Sequence, residues 1–190
     1  MVKHQKRCML IILDGWGVRE DMRGNAVAQA NTPFLDKIQN QYPYSQLVTF
    51  GNAVGLPDKI MGNSEVGHLN IGAGRVVYQD LLRIDKSIED GSFFKNNAIV
   101  KLMEQVKKNH SKLHLMGLVS DGGVHSQLAH LLALLDMAGQ RQLEQIVVHV
   151  ILDGRDTPPT SGVKYLSTLQ SHMEASGSGA IASICGRFYA

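Results

Sequence analysis

The chain has 190 residues, of which 44% are hydrophobic, 19% are charged and two are cysteines, and its formal net charge is +2. This composition allows a packed core in one domain or in two small ones. The near-neutral charge argues against nucleic-acid binding, and the absence of any long apolar stretch argues against a membrane span.

The amino-terminal part begins with a basic segment, Met1–Arg7, followed by the apolar run Cys8–Leu13. The run ends at Asp14 and has no small-residue cleavage site, so we do not interpret it as a signal peptide. A run that is apolar on both faces predicts a central strand of a parallel sheet. Asp14 then lies at the carboxyl end of the strand, where open α/β sheets bind ligands, although a plain Asp-Gly turn is the alternative.

The next segments predict a helix, a strand and a loop. Thr32 and Pro33 are typical of a helix start, and this helix should end near Tyr42. A short strand is predicted from 45 to 50, and a long irregular stretch from 51 to 63. Long irregular loops are often functional, and this one leads to Ser64.

Ser64 lies in a glycine-rich stretch that runs from Gly62 to Arg75. Free backbone N–H groups and a helix dipole beside this serine favour phosphate binding. Gly62 and Gly67 keep bulk away from the backbone, so a ligand can approach closely. The alternative is a Gly/Asn turn in which the serine caps a helix. Asp14 and Ser64 together are suitable ligands for a hard cation, which would make the hydroxyl more nucleophilic.

The second half alternates helices with strands, and this order implies a parallel sheet with right-handed crossovers. The strand exits should therefore lie on one edge of the sheet and carry His125, Arg155, Asp156 and Arg187. We predict helices over 77–88, 93–108, about 127–139 and 161–175, and strands over 112–119, 146–152 and 180–184.

Three side chains at this edge are candidate functional residues. His125 lies in a Gly-rich loop, the kind of position where binding residues gather. Arg155 and Asp156 are adjacent opposite charges, which on a surface contribute little stability. An arginine fork, however, binds phosphate or carboxylate, and a carboxylate beside it can accept a proton.

The cysteines, Cys8 and Cys185, each lie within an apolar strand-like run. We expect buried, reduced thiols, which are typical of a reducing compartment. A cytoplasmic protein is therefore the expectation.

Four motifs together resemble a known family. They are Leu13–Gly17 (LDGWG), Gly62–His68 (GNSEVGH), Val119–Ser126 (VSDGGVHS) and Asp153–Pro159 (DGRDTPP). In this order they resemble the cofactor-independent (2,3-bisphosphoglycerate-independent) phosphoglycerate mutases, and the resemblance covers essentially the whole chain.

The resemblance implies an α/β fold in two parts. Residues 1–78 would form the amino-terminal part of an alkaline-phosphatase-like, metal-binding domain, and residues 79–190 part of an inserted α/β substrate-binding domain. The family interconverts 3-phosphoglycerate and 2-phosphoglycerate in glycolysis and gluconeogenesis and uses two manganese ions. The resemblance further implies a monomer when complete, with no nucleic-acid or membrane partner.

The resemblance also implies roles for six residues. Asp14 and Ser64 would be ligands of one metal, and Ser64 would be the nucleophile that forms a phosphoserine. His125, Arg155, Asp156 and Arg187 would bind the substrate, with Asp156 as the catalytic base for the glycerate hydroxyls.

The chain departs from the family in its length, because family members are more than twice as long. We therefore expect the 190-residue chain to be inactive alone and poorly stable, with exposed apolar strand edges. Two alternatives are another metal-dependent phosphomutase or phosphohydrolase of the alkaline phosphatase superfamily, and a non-catalytic phosphate-binding fragment.

Overall fold

A computed structural model describes residues 7–190. The predictions made for Met1–Lys6 lie outside the described residues. The helices are α1 Ala26–Gln29, α2 Pro33–Gln41, α3 Ser64–Ala73, α4 Asp80–Glu89, α5 Asn97–Lys108, α6 Leu128–Gln140 and α7 Gly162–Ser176; the strands are β1 Leu113–Val119, β2 Ile146–Leu152 and β3 Ala180–Gly186. Single 3-10 turns cover Gly51–Val54 and Phe93–Lys95.

The three strands form one parallel sheet in the order β1-β2-β3. Each crossover contains a helix, α6 between β1 and β2 and α7 between β2 and β3. The α/β fold class and the parallel order are therefore confirmed. All three strands run in one direction, so their carboxyl ends lie at the same edge of the sheet.

The core lies between one face of this sheet and the helices. Leu135 of α6, Val148 of β2 and Leu169 of α7 have no exposed surface, and Met103 of α5 is 1% exposed. These residues belong to one apolar cluster. Burial of these side chains is the main source of stability in this half of the chain.

The amino-terminal half packs differently from the prediction. The segment Cys8–Leu13 forms no strand, and its side chains are exposed, Met9 at 81%. The predicted strand over 45–50 is reduced to a single antiparallel bridge between Phe50 and Met61. A strand needs a hydrogen-bonded neighbour, and none of the described strands lies beside either segment. Both strand predictions are wrong for this chain.

The two cysteines also differ from the expectation. Both are free thiols, but Cys8 is exposed and Cys185 is only partly buried. Cys8 is exposed because the segment around it packs against no sheet.

Two of the predicted helices have different limits. The helix predicted over 77–88 begins only at Asp80. The helix predicted over 93–108 is interrupted at Asn96, whose side-chain oxygen accepts hydrogen bonds from Ala98 and Ile99 N–H and so caps α5. Among residues 7–190, no helix is long and apolar enough to cross a membrane.

Helix α3 is fixed by three local contacts. Asn63, rather than Ser64, is its cap, and its side chain accepts a hydrogen bond from Val66 N–H. Asn70 donates to the carbonyl of Val54 and accepts from Val77 N–H, so it ties the helix to the chain on both sides. Gly62 passes so close to the Thr49 carbonyl that a Cβ would lie 2.0 Å from its oxygen. Backbone packing alone therefore requires a glycine at position 62, whether or not a ligand binds nearby.

Candidate functional site

The Ser64 hydroxyl donates a hydrogen bond of 2.6 Å to Oδ2 of Asp14, across fifty positions of sequence. Ser64 is the first residue of α3, and Asp14 follows the exposed segment that contains Leu13. The structure thus brings together the two side chains that the sequence suggested for a cation. It also leaves the serine exposed, at the positive end of the α3 dipole.

His68 lies one turn further along α3 and completes this group. Its Nδ1 lies 2.8 Å from the Ser64 carbonyl oxygen and 3.3 Å from the Ser64 hydroxyl oxygen. Since a carbonyl oxygen can only accept, Nδ1 is the protonated nitrogen, and the lone pair belongs to Nε2. The Ser64 proton is accordingly directed at Asp14. His68 was not among the predicted site residues, although its spacing of four residues from Ser64 on a helix is visible in the sequence.

An open cleft of about 520 Å³ surrounds these three side chains. Trp16, Met61 and Ile71 line it along with the polar group. Gly67 also lines it, and a Cβ at this glycine would meet no atom within 4 Å. Of the two glycines that the sequence associated with ligand approach, only Gly67 faces open space.

The second group lies at the carboxyl edge of the sheet. Arg187 Nη1 donates to Oδ2 of Asp156 at 2.7 Å. His125 Nε2 lies 3.8 Å from the same carboxylate oxygen, with the imidazole largely exposed. Three of the four residues predicted here therefore meet at one oxygen.

Asp153, which the sequence argument did not select, lies beneath this group. Its side chain is 1% exposed. Oδ2 accepts from the Ser120 hydroxyl at 2.7 Å, and Oδ1 accepts from the backbone N–H groups of Arg155 and Asp156 and from Arg187 Nη1. Burial alone raises the pKa of Asp153, but these hydrogen bonds outweigh burial and hold the pKa well below its usual range. The sequence feature that could have identified Asp153 is its position directly after β2, at the edge of the sheet where α/β proteins bind ligands.

Arg155 differs from its neighbours. Its backbone N–H is held by Asp153, while its guanidinium makes no hydrogen bond or ion pair within residues 7–190. The side chain is exposed. Within residues 7–190, Arg155 is thus the arginine of this cluster whose guanidinium makes no hydrogen bond.

The loops of the two groups touch at Ile60 and Gly123. The Cδ1 atom of Ile60, four residues before Ser64, lies 3.3 Å from the point where a Cβ on Gly123 would stand. In the part of the chain that the structure describes, no hydrogen bond or ion pair joins Asp14 or Ser64 to the cluster around Asp156. The two groups therefore form neighbouring but separate polar sites.

The donors around Ser64 suit a hard divalent cation. A carboxylate and a hydroxyl oxygen are ligands of the type that manganese prefers. Within residues 7–190, no group of three or more His, Cys, Asp or Glu residues is arranged to hold a metal ion. Two oxygen donors alone do not complete a metal site.

Fold and site together define an α/β protein with a serine–aspartate pair in one half and a carboxylate–arginine cluster at the sheet edge of the other. Residues 84–190 match the model of the family described as the BPG-independent PGAM N-terminus. The chain belongs to this family.

Known proteins extend the match to the amino-terminal half. A 2,3-bisphosphoglycerate-independent phosphoglycerate mutase of Lachnoclostridium phytofermentans is 53% identical over 185 residues, which cover 97% of this chain and 36% of that protein. The enzyme of the same name from Clostridium perfringens is 52% identical over 186 residues, covering 98% of this chain and 36% of that protein. The chain thus spans about a third of the length of these curated relatives.

A solved structure gives the same result. The crystal structure of Leishmania mexicana phosphoglycerate mutase at low cobalt concentration superposes with a TM-score of 0.66 and 38% sequence identity. The match covers 84% of this chain and 30% of that one. Its likeness supports both the fold and the family.

Proposed function

We propose that this chain is the amino-terminal third of a 2,3-bisphosphoglycerate-independent phosphoglycerate mutase, in which Ser64 carries the phosphoryl group between two positions of glycerate. The observation that carries the proposal is the exposed Ser64 hydroxyl, which begins α3 and donates to Asp14 at 2.6 Å. Membership of the family and the names of the curated relatives support the reaction.

Ser64 is the proposed nucleophile. Asp14 and Ser64 would hold one of two manganese ions, and a bound divalent cation lowers the pKa of a hydroxyl and balances phosphate charge. The N-terminus of α3 adds a favourable environment for the phosphoryl oxygens. In the first half of the reaction, the bond between phosphorus and Ser64 Oγ forms while the bond between phosphorus and the glycerate oxygen breaks.

The cluster at the sheet edge is the proposed glycerate site. Arg155 and Arg187 carry guanidinium donors suited to a carboxylate or a phosphate. In the first half of the reaction Ser64 loses its hydroxyl proton and the freed glycerate oxygen takes one up. In the second half Asp156 would accept the proton of the neighbouring hydroxyl as that oxygen receives the phosphoryl group, and Ser64 Oγ takes one up, so no net proton is consumed. His125, beside Asp156, would add a contact to the glycerate.

One contact among the described residues supports the proposed division into residues 1–78 and 79–190. His130 of α6 lies 2.7 Å from Asp85 of α4, so α4 is attached to the half that contains the sheet. Closure of the two parts around the substrate would exclude water, which protects the phosphoserine from hydrolysis. Free thiols at both cysteines support a cytoplasmic location.

A hybrid enzyme tests the proposal. In this hybrid, residues 1–190 replace the matching segment of the Clostridium perfringens relative, and conversion of 3-phosphoglycerate is measured with manganese. We expect turnover comparable to that of the parent enzyme, and no turnover in the Ser64→Ala hybrid. A folded hybrid without mutase activity, or an active Ser64→Ala hybrid, would refute the proposal. A hybrid that only releases phosphate would favour the phosphohydrolase alternative.

A further inference from the structure

Asp153 joins the carboxyl ends of all three strands through one carboxylate. Ser120 follows β1, Asp153 follows β2, and Arg187 follows β3. Asp153 Oδ2 accepts from Ser120 at 2.7 Å and Oδ1 accepts from Arg187 Nη1 at 3.0 Å. No other carboxylate among residues 7–190 has hydrogen bonds to all three strand exits.

The same carboxylate shapes the loop after β2. Oδ1 accepts from the backbone N–H of Arg155 at 3.1 Å and from that of Asp156 at 3.0 Å. A side-chain oxygen that accepts from the next two or three N–H groups fixes a turn. The Arg155 and Asp156 side chains therefore leave the loop in directions that Asp153 sets.

Asp153 itself is too buried to touch a ligand. Its side chain is 1% exposed, whereas Asp156 is 14% and Arg187 is 23% exposed. Only one nitrogen of Arg187, Nη1, is taken up by the two carboxylates, so the guanidinium keeps Nε and Nη2 for another partner. Asp153 is thus placed to act through Arg187 and the turn.

We propose that Asp153 is a positioning residue, which holds Arg187 and the Arg155–Asp156 turn in one geometry for binding the carboxylate and phosphate oxygens of phosphoglycerate. This inference rests on the proposed function and adds a residue to it. Ser120 supports Asp153 from the first strand exit, and Gly122 leaves the space, since a Cβ there would lie 3.2 Å from the Asp156 Cβ.

The test uses Asp153→Asn in the hybrid enzyme defined above. Asparagine keeps its oxygen at the Oδ1 position, near three N–H donors, while the Ser120 hydroxyl turns to accept from the amide. The variant therefore removes the charge and preserves the packing. We expect the KM for 3-phosphoglycerate to rise about tenfold with a much smaller change in kcat, because the hydrogen bond from Arg187 is weakened when its acceptor loses the carboxylate charge.

A double-mutant cycle separates positioning from general structure. In an Arg187→Ala background, Asp153→Asn should change KM by less than about twofold, since coupled residues are not additive. Asp90→Asn is the matched control, because Asp90 also accepts a hydrogen bond from a backbone N–H, that of Ser92, and belongs to neither site. Its KM should stay at the unmutated value.

The outcomes are distinguishable. An inactive unmutated hybrid refutes the proposed function and this inference with it. An active hybrid in which Asp153→Asn leaves KM unchanged, or in which its effect is fully additive with Arg187→Ala, refutes the inference alone.

Discussion

Ser64 Oγ and Asp14 Oδ2 are 2.6 Å apart, although the segment that carries Asp14 has no strand to hold it. The serine hydroxyl donates, so the carboxylate is the acceptor. A hydroxyl held in this way has its proton directed at Asp14 and an oxygen lone pair free for phosphorus. This pair is therefore the part of the site whose geometry is most directly connected to the proposed chemistry.

Asp14→Asn should disable the hybrid enzyme while leaving its fold unchanged. Asparagine can still accept a hydrogen bond from the Ser64 hydroxyl, but it lacks the negative charge that favours binding of a divalent cation. We expect kcat to fall by about a hundredfold or more, since metal activation of a nucleophile contributes several kcal/mol. Activity should be measured across a manganese titration.

Glu65→Gln is the control for this loss of charge. Glu65 is an exposed carboxylate next to Ser64 in the first turn of α3. Its substitution should leave both kcat and the manganese dependence near their unmutated values. Equal losses in the two variants would mean that general charge near α3, rather than Asp14, is what matters.

Two glycines beside Ser64 should respond oppositely to alanine. Gly62→Ala places a Cβ 2.0 Å from the Thr49 carbonyl oxygen and should cost about 1–3 kcal/mol of unfolding free energy. Gly67→Ala meets no atom within 4 Å and lies inside a helix, so it should stabilise by about 0.5–1 kcal/mol. Thermal unfolding of the two hybrid variants compares them directly. Equal melting temperatures would contradict the packing described for Gly62.

Asp153 should make stability depend on acid pH. Its folded pKa is depressed below the unfolded value of about 3.9, so its contribution is present above that value and is lost as pH falls toward the folded pKa. The melting temperature of Asp153→Asn should therefore lie below that of the unmutated hybrid by a constant amount above about pH 5, and the difference should shrink below about pH 4. A difference that grows on acidification would contradict the assignment.

The two halves of the 190-residue chain should differ in their protection from hydrogen exchange and proteolysis. No side chain of residues 7–50 is buried, whereas residues 80–190 contain the core around Leu135 and Val148. Local opening costs least where few apolar contacts are lost. Backbone amides of residues 7–50 should therefore exchange with solvent, and this segment should be cleaved by protease, well before β2 and α7. Equal protection in a single cooperative transition would contradict this difference, and with it the expectation of poor stability.

The sequence predicted the sheet because its information is local and periodic. Apolar runs separated by helical patterns identify β1, β2 and β3, and right-handed crossovers then place their exits on one edge. The same reasoning failed for Cys8–Leu13, whose apolar pattern is that of a strand but which has no neighbouring strand here. An apolar strand-like pattern shows that a segment is suited to a sheet. Whether it forms a strand depends on the neighbouring strands that the rest of the fold supplies.

The sequence predicted most of the charged and nucleophilic side chains of the site, but not the residues that hold them through hydrogen bonds. Asp14, Ser64, Asp156 and Arg187 follow from motifs at element ends. His68 and Asp153 were missed because their importance comes from contacts, to the Ser64 carbonyl in one case and to Ser120 and Arg187 in the other. The four-residue spacing of His68 from Ser64 is visible in the sequence, whereas the contacts of Asp153 span up to 34 positions and have no periodic signature.

The role of Ser64 as nucleophile is tested most directly by trapping the phosphoryl group on it. The hybrid enzyme is mixed with 3-phosphoglycerate and manganese, quenched in acid, digested and analysed by mass spectrometry. We predict a phosphorylated peptide with the modification at Ser64, which is absent without substrate and absent in the Ser64→Ala variant. Turnover with no modified Ser64, or with the phosphoryl group on another residue, would contradict the role of Ser64 as the nucleophile.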